Sequence, residues 1–193
     1  MRLMTCFAAI SLAVLATPAF AKSNDIACMA QGYDAPTLNK IVQLGPQVDI
    51  AAGPENTAND ELSQIAVLAV QACMIEHGWN EMQAFNAILY EIGRLQEAAF
   101  RQYGPLTPEQ ISGIDAALAT GDRSALWAIL EAQAQKGIDG RPVDVTEREA
   151  MLLGIFIVGA GLPPTEEAGE VAGLLLGMMA LQRMGAREFA KLK

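Results

Sequence analysis

The chain reads as all-α: a single-domain bundle of roughly six to eight helices around a buried apolar C-terminal helical hairpin, with one disulfide. Three observations predict this. Apolar residues recur at steps of three and four through most of the chain, in segments opened by Ser, Thr, Asn or Asp and closed by Gly or Pro. No stretch alternates apolar and polar residues for long, and Asp139-Gly140 sits in a polar loop rather than between β-branched runs. The composition is 52% hydrophobic but only 6% aromatic, which suits the Ala, Leu and Gly packing of helices. No internal repeat or low-complexity tract interrupts the pattern.

Residues 1–21 read as a cleaved secretory signal peptide. Met1-Arg-Leu-Met is a short basic start, Thr5 to Thr17 is apolar, and Ala19-Phe20-Ala21 has the small-x-small form of a cleavage site. The apolar run meets Pro18 before reaching the ~20 residues of a membrane anchor. Cys6 lies inside that run, away from the cleavage point, so lipid attachment is not expected. Residues 22–193 then form the all-α domain.

Export leaves Cys28 and Cys73, an even pair in an oxidising compartment, and the pair reads as a structural disulfide. Loss of Arg2 with the signal takes the formal charge from −9 to about −10. Such a surface, without Lys/Arg clusters, argues against nucleic acid and anionic headgroups as partners.

The elements follow in order. Ser23 or Asn24 caps a short segment with Ile26, Cys28 and Met29, ended by Gly32. Pro36 then starts a helix with Leu38, Ile41, Val42 and Leu44 on one face and Gly45 as its stop. Pro46 to Asn59 is an irregular loop. Asn59-Asp-Glu opens a strong helix that buries Leu62, Ile65, Ala66, Ala69, Val70, Cys73 and His77 and ends at Gly78.

Asn80-Glu-Met-Gln83 is a capping box. Behind it Phe85, Ile88, Leu89, Ile92, Leu95, Ala99 and Tyr103 form one apolar face, stopped by Gly104-Pro105. Thr107-Pro-Glu-Gln110 is a second capping box, followed by Ile111, Ile114 and Leu118. Asp122 caps a helix that buries Leu126, Ile129 and Leu130 with Trp127 beside them, and Gly137 closes it. Gly137 to Val145 is a linker.

The hairpin spans residues 146–185. Thr146-Glu-Arg-Glu149 leads into an uncharged run to Leu162, Pro163-Pro164 turns it, and Thr165-Glu-Glu starts the second arm. Arg183, Arg187, Lys191 and Lys193 suit the negative end of the last helix. Gly169, Gly173 and Gly177 stand four apart, and each costs about 1 kcal/mol relative to Ala in a helix. They read as a shallow face for close helix–helix packing. At 1.5 Å per residue both arms fall short of the ~30 Å of bilayer hydrocarbon, so the hairpin is expected in the core. A conditional variant has it opening onto a membrane or an apolar partner.

No catalytic, cofactor or metal site is expected. His77 is the single histidine. With Cys73 on the same face it could ligate a metal only if the thiol were free, with Glu76 and Glu81 as weak additions, and it reads instead as a helix-end histidine. Ser23, Ser63, Ser112 and Ser124 lie in no nucleophile turn. Carboxylate pairs such as Glu91 with Glu97, or Glu147 with Glu149, read as solvated faces. Trp79 and Asn80 sit at a helix junction, where Trp is usually core.

The long-loop pair Cys28 and Cys73, with the second cysteine in Ala69-Val-Gln-Ala-Cys73, resembles the small periplasmic acid-stress chaperones over residues 22–80. That resemblance implies a helical, singly bridged protein that exposes apolar surface when acid loosens it. Residues 81–193 extend beyond it.

The expectation is thus an exported, periplasmic, non-enzymatic protein that binds a protein partner or an apolar surface, through acidic helices around Trp79 or Tyr103. The alternatives are an acid-stress chaperone-like or membrane-associating (not membrane-spanning) protein using the hairpin, and a small periplasmic hydrolase.

Overall fold

The structure, a computed structural model, describes residues 26–31 and 33–192. The expected signal peptide and the expected Ser23/Asn24 cap lie outside the described residues. Among those residues there is no strand. The helices are α1 (Cys28–Gln31), α2 (Ala35–Leu44), α3 (Thr57–His77), α4 (Glu81–Tyr103), α5 (Pro108–Leu118), α6 (Ser124–Ile138), α7 (Glu147–Gly159) and α8 (Glu166–Lys191). They pack as a bundle, and Cys28 and Cys73 are bonded.

Local hydrogen bonds set most helix ends. Asn80 and Gln83 form the expected capping box at α4, and Thr107 and Gln110 form the one at α5 with Pro108 inside its first turn. Two helices shift their bounds. Helix α3 starts at Thr57 under an Asn56 cap, and Asn59, expected as its opening residue, is buried in the first turn. There the Asn59 amide donates to the Asp49 and Gly53 carbonyls at 2.5 and 2.7 Å, holding the preceding loop. Asp122 does not cap α6 directly; it lies one position before the Arg123 cap, where its carboxylate accepts from the N–H of Ser124, the first residue of α6, and the helix runs on through Ile138.

The centre of the bundle is the pair α4–α8, which makes the most extensive helix contact. Two glycines allow it. A Cβ built on Gly93 would stand 2.6 Å from the Met178 carbonyl oxygen, and one on Gly185 would stand 2.5 Å from the Asn86 carbonyl oxygen. Around this pair, α3 covers α4 and α6 covers α8, while α5 and α7 close one end.

The expected hairpin core is therefore half right. Leu175, Leu176, Met178 and Ala180 of α8 are buried in the main core with Phe100, Ile114, Leu126 and Leu130. Helix α7 lies on the flank: Phe156 and Ile157 face inward, but Met151, Ile155 and Val158 face solvent, with Ile155 63% exposed. The apolar run of α7 has more greasy faces than neighbours to cover them.

A second core surrounds the bridge, where Met29, Val70, Cys73, Trp79, Ala87 and Phe189 join the N-terminal segment to the end of α8. The buried face of α4 also differs from its apolar stripe. Phe85 and Tyr103 are exposed, whereas Gln83, Asn86, Glu91 and Gly93 are buried. A helix wedged between α3 and α8 buries a wider arc than its hydrophobic residues mark. On α2, Leu38 and Val42 face solvent and only Leu44 is buried.

Candidate functional site

A wide concave feature follows from how α7 and α8 are joined. The Thr146 hydroxyl accepts from the Glu149 N–H while the Glu149 carboxylate accepts from the Thr146 N–H, which fixes the start of α7. Its far end turns through Gly161, at φ +81°, into Pro163-Pro164, and Thr165 then caps α8. Helix α6 packs against α8, and α7 touches both. Between them lies a cleft of about 700 Å³, lined by Leu130, Val145, Leu153, Gly154, Ile157 and Leu176 with Gly169 and Gly173.

Gly173 also borders a second, adjoining hollow of about 440 Å³ among α4, α6 and α8, floored by Gly177 and walled by Leu89, Ala134, Ile138, Leu174 and Leu181. This corrects the reading of Gly169, Gly173 and Gly177 as close-packing positions. Nothing lies within 4 Å of a Cβ built on any of the three. They leave space along α8 instead of admitting a neighbouring backbone; Gly93, Gly113 and Gly185 take the packing role. Gly113, for instance, meets the Ala160 carbonyl.

The rim of the larger cleft is acidic. Glu166 and Glu170 line it, and Glu147, Glu149 and Glu167 lie on the first turns of the two helices, against Arg148. The Thr146 N–H and hydroxyl hold the Glu149 carboxyl below the usual carboxylate range. The cleft thus combines an apolar floor with a negative edge.

The other residues singled out from sequence are dispersed. Trp79 is 3% exposed and meets Phe189 edge-on at 4.8 Å, so it is core and not binding surface. Asn80 is spent as the α4 cap. Tyr103 is exposed at the end of α4 with its ring against Gly45. Ser63 donates to the Asn59 carbonyl inside α3. His77 closes α3, with its ring 6.1 Å from that of Trp79.

Glu91 is not on a solvated face. It is 0% exposed, accepting from the Tyr33 hydroxyl at 2.5 Å and from Arg94 Nε at 2.8 Å. Burial, then the Glu91 carboxylate, pushes the Tyr33 phenol well above its ordinary value, against the opposing pull of Arg94. Glu97 instead pairs with Arg101, which also grips Asp115 of α5 through two bonds of 2.9 Å. Both clusters join elements together.

The sequence reading does not find the cleft walls Leu153, Gly154 and Ile157, because it places the whole α7 run in the core. Gly154, in mid-helix with nothing within 4 Å of a Cβ built on it, is the signal that could have found them. No family model, curated protein or solved structure matches the chain.

Proposed function

We propose that the protein is an exported, non-enzymatic binding protein whose α7–α8 cleft receives the apolar face of a basic amphipathic helix from a partner protein. The observation that carries this is the glycine-lined floor. Gly154, Gly169 and Gly173 each weaken their helices relative to Ala, yet admit no neighbouring chain, so the space they leave is the feature they serve. An apolar trough of about 700 Å³ suits side chains at i, i+3, i+4 and i+7 of a docked helix. Exposed Met151 and Ile155 extend the apolar surface along α7. The acidic rim selects Lys or Arg flanks on the partner and speeds encounter at low salt.

Titration with two synthetic helices of identical apolar face, one Lys-flanked and one Glu-flanked, tests it. The basic helix is expected to shift amide resonances across residues 146–177 and the acidic one to bind at least about tenfold more weakly. Equal binding of both, or shifts elsewhere, overturns the proposal. Export is tested separately, by N-terminal sequencing of the protein recovered outside the cytoplasm, with Lys22 expected first.

A second reading, an acid-loosened chaperone-like protein, is favoured by the sparse packing of α7 and the depressed carboxyl that caps it. Among the described residues no helix is long and apolar enough to cross a membrane.

A further inference from the structure

We infer that reduction of the Cys28–Cys73 bridge opens a zinc-type metal site formed by both cysteine sulfurs, a ring nitrogen of His77 and a carboxylate oxygen of Glu76. Cys73, Glu76 and His77 recur at i, i+3 and i+4 on the last turns of α3, so one face of that helix carries all three. The disulfide brings α1 to this face. As a result the ligand atoms of Cys28, Glu76 and His77 lie within 4.8 Å of one another, and the Cys73 sulfur is bonded to that of Cys28.

A second observation is independent of that proximity. His77 Nδ1 is buried and has no hydrogen-bond partner among the described residues. A buried ring nitrogen without a partner is costly, and a metal ion or a proton donor is what relieves it. Gly78, left-handed at φ +69°, turns the chain sharply after His77 and brings the Trp79 ring, stacked, to 6.1 Å from the imidazole.

Two thiolates, an imidazole and a carboxylate make a tetrahedral donor set of the kind that takes Zn²⁺. Donors around such an ion stand about 3.3–3.8 Å apart. The two sulfurs, at bonding distance in the bridge, must therefore separate by about 1.7 Å, while the Cys28, Glu76 and His77 donors, within 4.8 Å of one another, close by up to about 1 Å. Helix α1, four residues long, is the element that moves once the bridge opens.

The chemistry balances. A dithiol reductant supplies two electrons and two protons, the Sγ–Sγ bond breaks to give two thiols, and the reductant leaves as its own cyclic disulfide. The divalent ion then binds both sulfurs as thiolates and releases two protons. Bridge and ion are alternative cross-links between the same two helices, and the redox state selects which one holds α1 down.

The test reduces the protein on an immobilised dithiol, removes the resin under anaerobic conditions and adds Co²⁺. The reduced protein is expected to bind one ion with thiolate-to-cobalt charge-transfer bands and the strong visible bands of a tetrahedral site, both abolished by Zn²⁺. The bridged protein is expected to show neither. His77→Gln, which keeps both cysteines, is expected to weaken binding at least about tenfold, the smallest loss that even an outer-shell partner causes. No cobalt spectrum in the reduced protein, the same spectrum in the bridged one, or an unchanged affinity in His77→Gln overturns the inference. Melting followed by far-UV dichroism guards against unfolding. Zn²⁺ is expected to raise the melting temperature of the reduced protein and not of the bridged one, and a reduced chain that Zn²⁺ neither stabilises nor refolds also overturns it.

Discussion

Gly93 of α4 lies against Met178 of α8 so closely that a Cβ on it would stand 2.6 Å from the Met178 carbonyl oxygen. The obstacle is backbone and cannot rotate away. Gly93→Ala is expected to push the central pair apart and cost about 2–3 kcal/mol, read as a lower urea midpoint. A midpoint equal to that of the parent would refute the central-pair geometry.

Gly173→Ala is expected to act in the opposite direction, because nothing lies within 4 Å of its Cβ. Helix propensity alone predicts a gain of up to about 1 kcal/mol. Gly173→Leu is expected to keep the fold and to weaken the basic helix about tenfold or more by filling the cleft. Loss of stability in the alanine variant would show that the position is packed after all.

The Cys28–Cys73 bridge spans 45 positions of sequence and pins α1 to α3. Loop-closure entropy predicts that the double variant Cys28→Ala/Cys73→Ala loses up to about 4 kcal/mol. Trp79 belongs to the same core, so its near-UV dichroism is expected to weaken first. A double variant as stable as the parent would mean that packing alone holds α1.

Removal of the buried Glu91 carboxylate leaves Arg94 and Tyr33 without their shared acceptor. Glu91→Ala is expected to cost about 3 kcal/mol, and Tyr33→Phe, which loses one hydrogen bond, about 1 kcal/mol. The raised folded-state value of Tyr33 gives a sign as well. Its contribution is full below the unfolded phenol value of ~10 and is lost as pH rises through the folded one. The difference between parent and Tyr33→Phe absorbance titrations is expected to show no phenolate near pH ~10, only at higher pH as the fold opens. A phenolate appearing at pH ~10 in a folded protein would contradict the arrangement.

Acid acts through the caps. Hydrogen bonds from the Thr37 hydroxyl and N–H hold the Asp34 carboxyl low, as do the Ser124 N–H for Asp122 and the Thr146 N–H and hydroxyl for Glu149. Folded values below unfolded ones contribute stability that is present above pH ~4 and lost as pH falls through the folded values. Because one apolar face of α7 is bare, with Met151, Ile155 and Val158 exposed, its amides are expected to lose protection below pH ~4, together with uptake of an apolar dye. Uniform protection of α7 at pH ~3 would count against acid loosening there.

What the sequence by itself determined were the features that close within a few residues. The capping boxes at Asn80 and Thr107, the stop at Gly78 and the Pro-Pro turn depend on hydrogen bonds and dihedrals three or four positions apart, and the all-α class follows from their sum. The pairing of Cys28 with Cys73 also needed no coordinates once Cys6 was set aside with the expected signal peptide. Tertiary structure alone decided which helices meet. Periodicity marks the apolar side of a helix but not the neighbour that covers it, so α7 was expected inside and lies half bare, while Glu91 was expected outside and is sealed between helices. Glycine is the sharpest instance: Gly93 and Gly173 look alike in a helical sequence, and only the approach of another backbone makes one a packing contact and the other open space.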